Sequence, residues 1–213
     1  MAETPLPPAA ERILDIAERL AQTRGFNGFS YADVAQELSV TKASLHYHFR
    51  SKADLGLALI VRYQSVFGGA LSEIGEKSRS AREKVRRYVA LYDSVMREDR
   101  MCLCGMLAAE YATLPPPMQE ELRRFFDANE AWLAAVLDEG RRSGELYFPE
   151  QPEERARVFV GALEGAMLMA RSYMDDRRFR SAAEYLMADL EARAARPRTR
   201  QKRKATVKRA ARR

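Results

Sequence analysis

The chain has 213 residues, enough for one or two cores, and its 11 glycines set against abundant Ala, Leu, Arg and Glu give it the composition of an all-helical protein. Two cysteines, Cys102 and Cys104, exclude the disulfide framework of a small secreted domain, no uninterrupted run of eighteen apolar residues occurs, and MAETPLPPAAER has neither a basic n-region nor an apolar h-region, so a soluble, cytoplasmic protein is expected. The net charge of +6 is unevenly spread: eleven of the 36 Lys and Arg lie from Arg193 onward with no acid among them, leaving 25 basic against 30 acidic residues, about −5, in the preceding body.

ERILDIAERLAQTRGF reads as a leading amphipathic helix. Residues 30–49, SYADVAQELSVTKASLHYHF, then predict two short helices around a tight turn. Ser30 is a natural N-cap, and Tyr31, Val34, Ala35 and Leu38 share one stripe. Thr41 caps the second helix, in which Leu45 and Phe49 face inward. At 100° per residue the opposite face presents Ala43 and Tyr47, flanked by Ser44 and His46, with Lys42 in the first turn. That face is polar, aromatic and basic, and its small residues permit close approach to a DNA major groove. His46 and His48, two apart on a helix, diverge by about 200° and cannot share a metal ion.

Six further helices are predicted: Lys52 to about Glu76, Ala81 to Met96, Cys102 to Thr113, Met118 to Ser143, Pro152 to Tyr173 and Phe179 to Ala195. Breaks fall at KSRS, REDR, LPPP, GRRSGELYFPEQP and MDDRR, making about nine helices in all. MCLCGMLAAEYATLPPPM clusters sulfur and aromatic side chains around Glu110 and Tyr111, soft groups suited to a cavity for varied apolar ligands. In VGALEGAMLMAR, Gly161, Ala162, Gly165 and Ala166 permit close approach of another helix, which suggests a dimer seam. The tail RPRTRQKRKATVKRAARR has no apolar stripe to offset its ordering entropy; it reads as disordered and suited to phosphate backbones. No glycine-rich phosphate loop, H-E-x-x-H or G-x-S-x-G motif is present, so neither catalysis nor a cofactor is expected.

The first sixty residues resemble the TetR family of bacterial regulators. Gly25, Ser30, Val34 and Ala35 match its G-x-x-x-x-S/T-x-x-x-I/V-A segment, and Tyr47, Phe49, Lys52 and Leu55 match Y-x-H/Y-F-x-x-K-x-x-L. The resemblance implies a helix-turn-helix domain over 1–51, a helical regulatory and dimerisation domain over 52–192, and the basic tail over 193–213, which is foreign to the pattern. It also implies that Lys42, Ala43 and His46 lie against bases while Ser30, Ser44, Tyr47, His48 and Lys52 hold phosphates. For the effector pocket it implies walls from Tyr92, Met96, Met106, Phe125, Trp132, Phe159, Met167 and Tyr173, beside Cys102 and Glu110. The last two helices would form a four-helix bundle with a partner subunit, and a two-fold dimer predicts an inverted-repeat operator. CLCGMLAAE is similar to the G-C-L-x-G-x-L-A-x-E stretch of a subgroup with cysteine-based sensing of electrophiles or oxidants; Cys102 takes the cysteine position and Met101 replaces the glycine. Arg100 or a helix start is expected to activate that thiol. The resulting expectation is a ligand-released homodimeric repressor, cytoplasmic and nucleoid-associated when DNA-bound. Two alternatives stay open, a thiol-sensing repressor using Cys102 or Cys104, and an architectural DNA-binding protein driven by its tail.

Overall fold

A computed structural model describes residues 7–191, and among these all regular structure is helical. The helices are α1 (Pro8–Arg24), α2 (Tyr31–Leu38), α3 (Lys42–His48), α4 (Lys52–Lys77), α5 (Ala81–Met96), α6 (Leu103–Ala109), α7 (Pro116–Ser143), α8 (Pro152–Tyr173) and α9 (Arg177–Glu191), with a 3₁₀ turn at Tyr111–Thr113. The expected tail, and the end of the last helix beyond Glu191, lie outside the described residues.

Side-chain caps set most of the starts. Ser30 with Asp33 and Ser51 with Asp54 form reciprocal capping boxes at α2 and α4, and Thr41 and Ser80 accept backbone N–H groups at α3 and α5. Ser39 takes the left-handed conformation, φ 55°, and closes α2 so that α3 starts three residues later. Leu14, Leu20, Val34, Ala35, Leu45 and Phe49 bury the apolar faces of α1, α2 and α3 together. The Tyr31 hydroxyl donates to the carbonyls of Phe49 and Ser51, at 2.9 and 2.6 Å, and so ties the α3–α4 corner to α2. Burial, with the charge of Asp54, pushes that phenol up to about 12.

α4 carries the head into the body. Its length and mean hydropathy of 1.2 would suit a membrane span, yet Leu55, Leu59, Ile60, Tyr63, Leu71 and Ile74 are buried in packing against the head and the other body helices. α7 and α8 pack along their length, α9 closes over α8, and Arg155 of α8 binds Asp189 of α9 at 2.6 Å. A fully enclosed polar network joins α5 to α7: Tyr88 donates to Asn129 Oδ1 at 2.9 Å, and the Asn129 amide donates to Tyr92 at 3.1 Å. Partners of this kind make buried polar groups affordable.

α9 begins at Arg177 rather than Phe179, and two other expected bounds shift for visible reasons. The predicted Cys102–Thr113 helix breaks at Glu110, whose backbone leaves the helical region and hands over to the 3₁₀ turn. α7 begins at Pro116 rather than Met118, because prolines fit the first helical turn, where no intrahelical N–H is needed.

Leu45 is fully enclosed where α3 packs on α2. Leu45→Ala should therefore lower stability by about 2–5 kcal/mol in urea unfolding, whereas Ala43→Ser, on the exposed face of the same helix, should leave the midpoint unchanged.

A candidate DNA-reading face and an apolar cavity

α3 turns Leu45 inward and leaves Lys42, Ala43, Ser44, His46 and Tyr47 in water, with His48 half-buried beside α1. Tyr47 is 85% exposed, its ring touching only that of His48, edge to face at 5.1 Å, among the aromatic contacts of the described residues. His46 is positioned by its neighbours, its Nδ1 3.0 Å from the Arg50 carbonyl and its ring against Tyr31. Ser30, at the start of α2, is engaged in the capping box, its hydroxyl donating to Asp33 at 2.6 Å. The bond holds the Asp33 carboxyl below the usual carboxylate range.

Lys52 is placed differently from expectation. Its ammonium donates to the carbonyls of Phe26 and Phe29, both at 2.5 Å, and lies over the rings of both residues. Burial lowers its pKa, with Glu110 and Asp33 opposing. The lysine therefore builds the α1–α2 turn rather than projecting from it. Glu110 is also corrected: it is no cavity wall, and its carboxylate accepts the backbone N–H of Phe26 at 2.7 Å and of Asn27 at 3.2 Å. Gly25 makes this possible, since it has φ 86° and a Cβ there would stand 2.7 Å from Glu110 Oε1. Asn27 reaches Thr113 at 2.8 Å, and Arg171 of α8 donates to the carbonyls of Gln22 and Thr23. The turn that leads into α2 and α3 is thus held by side chains of α4, α6 and α8.

Between α4, α5, α6 and α8 lies an apolar cavity of about 160 Å³, walled by Tyr63, Phe67, Leu91, Tyr92, Cys102 and Met167, with exposed Val66 and Ser94 at its mouth. Of the expected wall residues, Tyr92, Cys102 and Met167 line it. Phe125 packs behind Tyr63 and Phe67, Trp132 and Phe159 pack behind Tyr88, and half-buried Met106 joins the core from α6. Met96 faces a separate depression of about 620 Å³ between the α5–α6 connection and the α8–α9 turn. Within it Arg177 pairs with Asp175 and Arg180 with Asp176. Tyr173 is 57% exposed under Arg178 at the end of α8 and lines neither space.

The thiol also departs from expectation. Arg100 pairs with Glu98 rather than with sulfur. Burial, reinforced by Glu164, pushes the Cys102 thiol well above its ordinary value, and burial does the same to Cys104. Sequence reasoning missed Tyr63, Phe67 and Glu164, a half-buried residue of α8 whose carboxyl, with Oε1 sealed from solvent, is raised to about 7 by burial. On α8, Gly161 and Gly165 face open space, and Val158 and Met169 on the same helix, with Tyr185 of α9, are exposed. Ala162 and Ala166 are half-buried behind them.

Comparison with known proteins agrees with this geometry. Residues 13–59 match the family model of bacterial regulatory proteins, tetR family, and residues 81–186 match the tetracyclin repressor-like C-terminal domain. The chain belongs to the TetR family. A TetR-family transcriptional regulator from Agrobacterium tumefaciens superposes with a TM-score of 0.83 at 30% identity, covering 86% of this chain and 97% of the other. A TetR regulator from Legionella pneumophila does so with 0.79 at 33%, covering 88% and 100%. The HTH-type transcriptional repressor NemR of Escherichia coli is 26% identical over 167 residues, 76% of this chain and 83% of that protein. The chain is accordingly a DNA-binding transcriptional regulator, and TetR-family regulators bind small-molecule effectors and act as dimers.

Loss of the Glu110 carboxylate should loosen the turn behind the reading face. In Glu110→Gln, hydrogen exchange at the Phe26 and Asn27 amides should accelerate by about 10- to 100-fold, the range for a hydrogen bond to a charged group. Exchange as slow as in the parent chain would show that the turn is held by other contacts.

Proposed function

We propose that this TetR regulator is a homodimeric repressor that binds an inverted-repeat operator through α3 of each subunit. A small apolar or electrophilic effector entering the α4–α5–α6–α8 cavity releases it. The exposed face of α3 carries the reading. Ala43 leaves room for bases, Lys42 and His46 stand beside it to contact them, and Ser44, Tyr47 and His48 flank it toward phosphates. Ser30 and Lys52 contribute at the edge, Ser30 from the start of α2 and Lys52 by holding the turn. The two-fold partner docks on the stripe of Gly161, Ala162, Gly165 and Ala166 and on the outer face of α9, covering Val158, Met169 and Tyr185. Such a regulator works in the cytoplasm, on the nucleoid when DNA-bound.

Release requires an effector with different affinities for two arrangements of the body, since equal binding shifts nothing. α6 is the element placed to carry the difference, because Cys102 at its start lines the cavity and Glu110 at its end holds the head. A second reading, thiol-responsive release, is favoured by one observation: the Cys102 side chain forms part of the cavity wall. The basic segment 193–213 then adds non-specific affinity and salt dependence, without choosing the sequence.

Two measurements test these proposals. Selection from random duplex DNA at moderate salt should yield one inverted repeat both for the full chain and for a chain ending at Ala192; loss of all binding on truncation would make the tail the DNA-binding activity. Gly165→Leu, whose side chain enters open space in the protomer, should keep its helical circular dichroism yet sediment as a monomer with operator affinity reduced at least about tenfold. A stable dimer of this variant would move the seam elsewhere.

A further inference from the structure

Among the described residues two polar side chains are buried, Asn129 and Gln22, and the fold treats them oppositely. The Asn129 amide is partnered at both ends, by Tyr88 and Tyr92. Gln22, in the last turn of α1, is 2% exposed, yet its Oε1 is sealed from solvent with no hydrogen-bond partner. An orphaned buried acceptor is destabilising, and each one in a native fold calls for a reason. The surroundings of Gln22 supply one. It lines a depression of about 220 Å³ together with Glu18 of α1, Ser94 of α5, and Glu98 and Arg100 of the α5–α6 connection. This space adjoins the apolar cavity, since Tyr63, Val66, Ser94 and Val95 line both. The charges at the polar end are already balanced within the protein, Glu18 by Arg62 at 2.7 Å and Glu98 by Arg100 at 3.5 Å. What stays open is a neutral acceptor, whose complement is a neutral donor. The backbone carbonyl of Gln22 is meanwhile fixed, accepting the Met101 N–H at 3.3 Å and Arg171 at 3.4 Å.

We propose that the two spaces form one amphipathic site for a small arene carrying a neutral hydroxyl, with the ring in the cavity and the O–H donated to Gln22. The proposal rests on the reading of that cavity as the effector site and specifies what it selects. The cavity, about 160 Å³, has room for one benzene ring against Tyr63, Phe67 and Tyr92. The adjoining depression takes a short chain that ends in the donor. An ammonium in place of the hydroxyl would lose its hydration without gaining a free carboxylate, because Glu18 and Glu98 are already paired. A carboxylate would meet the Gln22 oxygen and those two acids. A hydroxyl meets neither cost and relieves the orphaned acceptor. Gln22 belongs to α1, so a molecule held there touches the DNA-binding head itself as well as α6.

The test uses the full chain without DNA and three probes of one shape: hydrocinnamyl alcohol, hydrocinnamyl fluoride, which lacks only the donor, and hydrocinnamylamine, which is protonated at neutral pH. Affinities are read by calorimetric titration and ligand-observed NMR. The alcohol should bind about tenfold more tightly than the fluoride, the scale for satisfying one buried acceptor, and more tightly than the amine. Gln22→Leu, which nearly keeps the volume and removes the acceptor, should abolish the preference for the alcohol and unfold at the same urea concentration as the parent chain or a higher one. If that variant fails to fold, the comparison of alcohol with fluoride in the parent chain decides alone. No binding of any probe at millimolar concentration, equal affinities of alcohol and fluoride, a tighter amine, or a preference that survives Gln22→Leu overturns the proposal. The effector reading fails separately: an alcohol that binds with the expected preference, yet at saturation leaves operator affinity unchanged, would establish the site and remove its regulatory role.

Discussion

The contact on which the rest of the molecule depends is the grip of two opposite charges on one turn of backbone. Between α1 and α2 the chain must reverse, and its peptide groups are left without helical partners. Glu110 from α6 takes the N–H groups of Phe26 and Asn27, while Lys52 from α4 gives its protons to the carbonyls of Phe26 and Phe29. Hydrogen bonds to charged groups are stronger than neutral ones, so a turn that would otherwise be soft becomes a fixed joint between head and body. The orientation of α3 follows from it, since α2 begins directly after this turn and α3 packs on α2 through Leu45 and Val34.

The same joint lies between the cavity and the proposed DNA-reading face, because Cys102 and Glu110 stand at the two ends of α6. α6 is only seven residues long, short enough that a shift at Cys102 is felt at Glu110 with little bending between them. The chemistry at its two ends is opposite in kind. At Glu110 the carboxylate is satisfied by backbone donors; Glu164, half-buried beside Gly105, keeps one buried oxygen without a hydrogen-bond partner. Stability is concentrated where the head is held, and the unsatisfied group sits on α8 beside Gly105. Conformational equilibria are biased most readily at such a point, because an entering group can relieve a cost that already exists.

Much of this was legible in the sequence. Ser30, Thr41 and Ser51 mark helix starts because their side chains accept orphan N–H groups, and the spacing of Leu45 and Phe49 separates the buried side of α3 from the side carrying Ala43 and Tyr47. Gly161 and Gly165 were readable as an outward stripe for the reason that makes them open to solvent in the protomer. What escaped was every charge working inside the fold. Lys52 and Glu110 lie where helix periodicity places polar surface residues, and only the tertiary approach of α1 turns them inward. Glu164 sits in VGALEGAMLMAR between small residues, where a lone acid reads as solvated, and its burial depends on the missing side chain of Gly105, sixty residues away in sequence. Tyr173, expected as a wall from the family resemblance, is exposed at the end of α8, beyond its last buried residue, Ala170.

The most direct test of the account is whether the state of the cavity is felt at the turn. Ala70 lines the cavity, so Ala70→Phe fills it without any ligand, and hydrogen exchange at the Phe26 and Asn27 amides can be compared with that of the parent chain. Transmission through α6 predicts faster exchange at both amides together with operator affinity weakened by about 5- to 150-fold, the usual range of coupling between sites. Operator binding lost while both amides exchange at their original rate would contradict it, because the signal would then bypass the joint on which this account rests.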